Sequence, residues 1–169
     1  MDEQSQLITK QNNFEDYELQ FISAIKHYNL NAIQWITLNN NIQLFNENII
    51  YISYTICYVQ FHLYKDYKWN KLANDIENVR TDLKYKFYLL GTMLYFIKTD
   101  NISSLKIIRY LCPSFDIIQD YYPNILLLNI SDPQHLCFDW LIKKMNVSEW
   151  SQEFIEDIMF KIINLNYQI

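Results

Sequence analysis

One glycine, Gly91, serves a chain of 169 residues. β-Hairpin turns draw on residues that take positive φ, and glycine takes it without a steric penalty. A sheet-rich fold would need several such turns, so the shortage predicts helices. It also excludes phosphate loops, dinucleotide fingerprints and the nucleophile elbow, because each brings backbone against a ligand where a Cβ would intrude. Half the residues are hydrophobic, with 14 Tyr, 10 Phe and four Trp among them. The chain can therefore bury a core of its own, built largely from rings.

Hydrophobic spacing divides the chain into helices. Phe14, Tyr17, Phe21, Ile25 and Tyr28 recur at steps of three and four after Asn13, which reads as the cap of a helix ending near Asn29. A second helix carries Ile33, Trp35 and Ile36 and stops at Asn39-Asn40-Asn41, where asparagine tolerates the left-handed conformation. From Leu44 to about Tyr64 the pattern is apolar nearly all round, which predicts a central buried helix. Its charge-free run, Ile49 to Tyr64, is too short and too polar at Gln60 and His62 to span a membrane. Trp69 to Val79 reads as a more polar helix. Thr81 or Asp82 is placed to cap the next one, through Leu83, Phe87, Leu90, Leu94 and Ile97, with Gly91 allowing another helix to approach. Ser103 to Leu111 follows, stopped by Pro113. After an irregular stretch from Asp116 to Asn129, Ser131-Asp132-Pro133-Gln134 marks a helix start, and Ser148 caps a last helix bearing Trp150, Phe154, Ile158 and Ile162. Residues 1–13 are expected to form a polar, flexible N-terminus and 14–169 a single all-α domain.

Three phrases within these helices share one pattern: Ile33-Gln34-Trp35-Ile36, Ile108-Arg109-Tyr110-Leu111 and Phe138-Asp139-Trp140-Leu141. Two of them follow similar lead-ins, Ala24-Ile25-Lys26-His27-Tyr28-Asn29-Leu30 and Phe96-Ile97-Lys98-Thr99-Asp100-Asn101-Ile102. The phrases begin at 33, 108 and 138, so they stand 75 and 30 residues apart. Units of about 33 residues would place an intervening copy near Cys57 to Ala73. These helical pairs, in an Asn-, Ile- and Tyr-rich chain, resemble the degenerate ankyrin-like pairs common in proteins of large DNA viruses. The Thr-Pro-Leu-His turn and the glycines of regular ankyrin units are missing from the sequence. The resemblance implies protein–protein recognition without catalysis, often directed at host factors. A second architecture fits the same residues: a globular bundle of the apoptosis-regulator (Bcl-2-like) type. It would centre on the Ile49 to Tyr64 or Phe87 to Ile97 helix and offer a groove to an amphipathic peptide that modulates cell death or innate signalling. The Asn-Trp-Gly-Arg phrase of that family is missing.

The net charge is −5, and Lys143-Lys144 is the only basic run. Nucleic acid asks for a basic face with several phosphate contacts, so it is not expected as a partner. Cys57, Cys112 and Cys137 form an odd set without paired spacing, which suits a reducing compartment, and Met1 to Asn13 lacks the apolar core of a secretion signal. A cytoplasmic or nuclear protein is expected. The sequons at Asn101, Asn129 and Asn146 carry no weight without that signal.

Residues capable of chemistry are scattered. His135 and Cys137 with distant Cys112 come nearest to a metal set, yet a structural zinc site needs a fourth ligand and paired spacing, so buried thiols are expected. His62 reads as a hydrogen-bonded core imidazole and His27 as solvated; Cys57, five residues before His62, is off its helical face. Glu15-Asp16-Glu18, Asp75-Glu77 and Glu153-Glu156-Asp157 read as exposed groups that favour helix starts. Trp35, Trp140 and Trp150 fall at apolar helical positions and are expected in the core. Tyr64, Tyr67, Trp69, Tyr121 and Tyr122 lie in more polar stretches, where rings can face a partner. No catalytic, cofactor-binding or metal residue is assigned, and no cofactor. The sequence thus predicts an irregular stack of helical hairpins, ankyrin-like, that binds another protein without catalysis and without inserting into a membrane; a metal-dependent enzyme is the least supported reading.

Overall fold

The computed structural model describes residues 3–39 and 42–111 and isolated positions between 128 and 163. Its regular elements are α1 (Glu3–Lys26), α2 (Leu30–Asn39), α3 (Glu47–Tyr64), α4 (Tyr67–Val79), α5 (Lys84–Lys98) and α6 (Ile102–Leu111), with 3₁₀ turns at Ile42–Leu44 and Thr81–Leu83. No strand occurs among the described residues, so the all-α class is as the glycine shortage predicts.

Consecutive helices pair into three hairpins, α1 with α2, α3 with α4, and α5 with α6; the first helices then pack in chain order, α1 on α3 and α3 on α5. This arrangement lays hairpins side by side. Helix α3 is consequently covered by α1, α4 and α5, and Ile50, Ser53, Thr55, Ile56 and Cys57 lose all contact with solvent. The apolar run read from the sequence is the central helix. Its core partners are Phe21 and Ile25 from α1 and Phe87, Leu90 and Leu94 from α5, all buried in one cluster.

Each hairpin turns on one residue in the left-handed region, and none is glycine: Tyr28 (φ 49°), Lys65 (φ 55°) and Asp100 (φ 58°). These turns stand 37 and 35 residues apart, and the middle one falls inside the Cys57 to Ala73 stretch. Gly91 is spent elsewhere. A Cβ on it would stand 3.4 Å from the Tyr54 hydroxyl, so it lets α5 approach α3.

Buried polar groups lock the hairpins together. The Arg80 guanidinium, 4% exposed, donates to the carbonyls of Ile42 (3.3 Å) and Phe45 (2.7 Å) and grips Asp82 with two bonds of 3.0 and 3.1 Å. It thereby ties the α4–α5 connection to the α2–α3 connection. Glu18 accepts from the Asn46 backbone N–H at 2.6 Å, placing a carboxylate at the start of α3. At the same end, Lys86 and the Tyr51 hydroxyl both donate to Glu47, at 2.9 and 3.0 Å.

Several boundaries differ from the sequence reading. Helix α1 begins at Glu3 and not after an Asn13 cap, because residues 4–12 contain no Gly or Pro and include good helix formers. Helices α3 and α4 start at Glu47 and Tyr67, where the Asn46 and Asp66 side chains accept from the N–H groups of Asn48 and Lys68. Neither Thr81 nor Asp82 caps α5; both lie in a 3₁₀ turn, and Asp82 is engaged by Arg80. Helix α6 starts at Ile102 behind an Asn101 cap. Pro113, Asp116 to Asn129 apart from the buried Leu128, the Ser131 start and Trp150 lie outside the described residues.

Candidate partner-binding surface

Helix α2 carries no charged side chain, and both its flanks are hollow. Ile33 and Ile36 point inward and are buried, while Leu30, Trp35 and Leu38 remain 43%, 51% and 84% exposed. A short uncharged helix that presents three large apolar side chains is, among the described residues, the candidate for a partner-binding surface.

Between α2 and α4 runs a groove of about 520 Å³. Its floor is apolar: Phe21, Ile33, Ile42, Leu72 and Ile76 are all buried there. Leu30 and Leu38 form one wall and Val79 the other, with Gln34, Thr37, Asp75 and Asn78 along the rim. Thr37 uses its hydroxyl on the Ile33 carbonyl (2.7 Å), which keeps it at the wall. The groove exists because α2 and α4 belong to neighbouring hairpins whose first helices, α1 and α3, pack together beneath them. On the opposite flank of α2 a second hollow of about 450 Å³ is lined by Ser23, Ala24, His27 and Trp35. Trp35 is braced there by Tyr17, ring centroids 5.9 Å apart.

A second exposed aromatic set lies on α5, where Tyr85, Tyr88 and Tyr95 share one face at steps of three and seven. It forms a stripe and not a concavity. Two of the rings singled out from the sequence, Tyr64 and Tyr67, are exposed as expected. Trp69 is not: it is buried against Tyr28, centroids 5.0 Å apart, with the Lys68 ammonium 4.5 Å from the Tyr28 ring centre. Trp35 reverses its expectation in the other direction, since it sits outside the core. Trp140 is half-buried and packs against the core, whereas Tyr121, Tyr122 and Trp150 lie outside the described residues.

The groups capable of chemistry are dispersed or buried. Burial pushes the Cys57 thiol up to about 12, so it stays protonated and unreactive. The His62 ring is half-buried beside Tyr58 (4.2 Å) and takes a hydrogen bond from the Lys98 ammonium at Nδ1 (3.0 Å). Desolvation first, and the Lys98 charge second, hold its imidazole down near 4. His27 is exposed, as expected, with Nδ1 2.9 Å from the Ser23 carbonyl. Among the acidic clusters Glu15, Asp16, Asp75, Glu153 and Glu156 are exposed, but Glu18 is buried on Asn46 and Glu77 reaches the Tyr54 hydroxyl. Cys137 is buried with its thiol on the Phe96 carbonyl (3.7 Å); His135, Cys112 and Asp157 lie outside the described residues. Among the described residues no group of three His, Cys, Asp or Glu side chains could hold a metal ion, and no helix is long and apolar enough to cross a membrane.

Comparison with known proteins places no neighbour beside this chain: no family model, no curated protein and no solved structure matches it. The α2 surface was hidden from sequence reading because its groove is formed by helices of two different hairpins. One signal was legible: the absence of charge from Leu30 through Asn39.

Proposed function

We propose that the protein is a non-catalytic interaction module, an irregular ankyrin-like stack of helical hairpins that engages another protein through α2 and the groove beside it. The observation that carries this reading is the uncharged helix with Leu30, Trp35 and Leu38 outward over an apolar floor. A large ring such as Trp35 is the kind of side chain that carries much of the energy of a protein interface, with aliphatic neighbours that exclude water around it. The inert Cys57 thiol and the scatter of the other reactive groups fit a role without chemistry. The composition and the resemblance of the helical pairs fit a viral protein in the cytoplasm or nucleus that is directed at a host factor. The side-by-side order of the hairpins favours a stack over a bundle wrapped around one central hairpin.

The test is affinity capture with the full chain beside a Trp35→Ala/Leu38→Glu double variant, the recovered proteins being identified by mass spectrometry. A specific protein retained by the first and lost from the second is the expected result. Recovery of the same proteins by both, or of none by either, would remove the reading.

A further inference from the structure

The groove between α2 and α4 restricts the form of what it can bind. Both walls are helices, whose backbone N–H and C=O groups are already paired along their lengths. An extended segment laid there would bury its own backbone groups against apolar side chains with nothing to bond, whereas a helix arrives with those bonds made. On α4 the lining residues Leu72, Asp75, Ile76 and Val79 stand at i, i+3, i+4 and i+7, so the wall is about two turns, roughly 10 Å, long. A partner helix would meet it with a matching two-turn apolar face.

Charge then sets the orientation. Among the described residues, Asp75 is the one ionisable side chain lining the groove. It is exposed, and the three ion pairs of the described residues leave it out. The opposite wall is uncharged throughout, and the chain as a whole carries −5. We infer that the groove receives an amphipathic helix of a partner protein, with apolar side chains at i, i+3 or i+4 and i+7 and a Lys or Arg placed to meet Asp75. The inference rests on the reading of the α2 surface as the binding face.

The test uses the full chain and a fluorescein-labelled, hydrocarbon-stapled helix with Leu at i, i+4 and i+7 and Lys at i+3, followed by fluorescence anisotropy at low and high salt. Saturable binding is expected, weakened about threefold to fivefold by Asp75→Asn and about tenfold by Asp75→Lys. A probe with Glu in place of Lys should bind the wild type poorly and recover on the Asp75→Lys variant. Leu38→Glu should abolish binding, and Tyr110→Ala, an exposed ring on α6 outside the groove, should leave it unchanged. Circular dichroism of each variant reports folding, and the substituted positions are exposed. Equal binding of Lys and Glu probes, indifference to Asp75→Lys, no saturable binding, or a groove closed by a second copy of the chain in light scattering would each overturn the inference. Captured partners lost with Trp35→Ala/Leu38→Glu alongside a silent probe would sink this inference alone and leave the interaction reading standing.

Discussion

In the first hairpin the Asn29 N–H reaches back to the Ala24 carbonyl (2.8 Å) and the Tyr28 N–H to that of Ile25 (3.1 Å); in the third, Asn101 reaches Phe96 (2.8 Å) and Asp100 reaches Ile97 (3.2 Å). The Asn29 side chain then caps α2 through the Ala32 N–H, as Asn101 caps α6 through Ser104, both at 3.2 Å. Every bond in one turn has its counterpart 72 residues later, as the two asparagines show. This is a Schellman closure followed at once by a helix cap, with a non-glycine residue accepting the left-handed position in each. What differs is the use made of that residue. Tyr28 stacks on Trp69 of the neighbouring hairpin, whereas the Asp100 carboxylate takes the backbone N–H groups of Leu136 (3.0 Å) and Cys137 (2.7 Å). In these two turns the strained position is therefore where the chain takes hold of a later segment. Lys65, in the second turn, is exposed and, among the described residues, holds nothing of that kind.

Glycine placed at each of the three positions separates backbone strain from side-chain grip. Relief of a left-handed Cβ is worth about 1 kcal/mol, less the entropy that glycine loses on folding. Asp100→Gly sets that gain against two charge-assisted bonds, one to a buried amide, and should lower stability by about 2 kcal/mol in urea unfolding. Equal or higher stability would show that the carboxylate contributes nothing. Asn29→Ala and Asn101→Ala should each cost about 1 kcal/mol, and the comparison sharpens if the two costs agree. Tyr28→Gly loses a ring pair worth about 0.5–1.5 kcal/mol together with its burial, so a net loss near 1 kcal/mol is expected. Lys65→Gly gives up no contact and should raise stability by about 0.5 kcal/mol, seen as a higher urea midpoint at unchanged slope. A loss at Lys65 would break the distinction between the turns.

The sequence showed this repeat in the lead-ins and blurred it in the phrases that follow. Ala24 to Leu30 and Phe96 to Ile102 correspond residue for residue, and the structure superposes their hydrogen bonds. The tetrapeptides were matched 75 residues apart, three more than the turns require. The true counterpart of Ile33-Gln34-Trp35-Ile36 is Leu105-Lys106-Ile107-Ile108, since Leu105 and Ile108 are buried as Ile33 and Ile36 are. An amphipathic helix repeats its apolar residues every three or four positions, so matching by chemical type can slide by a turn at no visible cost. The same ambiguity put Trp35 in the core: it sits between two inward isoleucines in sequence but turns away from them on the helix. The middle hairpin's helices and place were legible, but its turn could not be aligned with the other two, for another reason. Its left-handed Lys65 is followed by Asp66 in place of the asparagine that follows Tyr28 and Asp100, and the rest of its geometry resides in the backbone. The groove needs the packing of α1 on α3, which no local pattern encodes.

One further asymmetry between the end turns is open to pH. Lys98, the last residue of α5, donates to His62 on α3, whereas Lys26, its counterpart at the end of α1, is exposed and belongs to none of the ion pairs of the described residues. His62 is held near 4 in the folded chain, against an ordinary value of 6.5, because protonation would put a cation in a half-buried site 3.0 Å from the Lys98 ammonium. The unfolded chain takes up that proton first as the pH falls, so the contribution is complete above pH 6.5 and is lost progressively toward pH 4. Solvent screening at this half-exposed position keeps the effect small, roughly 0.5 kcal/mol. Glu47 and Asp82, held below the usual carboxylate range by hydrogen bonds from Lys86 and Arg80, lose their stabilisation only at lower pH, which leaves the interval from 6.5 to 5 to the imidazole. Over that interval, after correction for intrinsic rates, hydrogen exchange at Thr99, Asp100 and Asn101 should accelerate while exchange at His27, Tyr28 and Asn29 holds steady. His62→Gln should remove the difference. Acceleration at both turns alike would show that the Lys98–His62 bond is not what sets them apart.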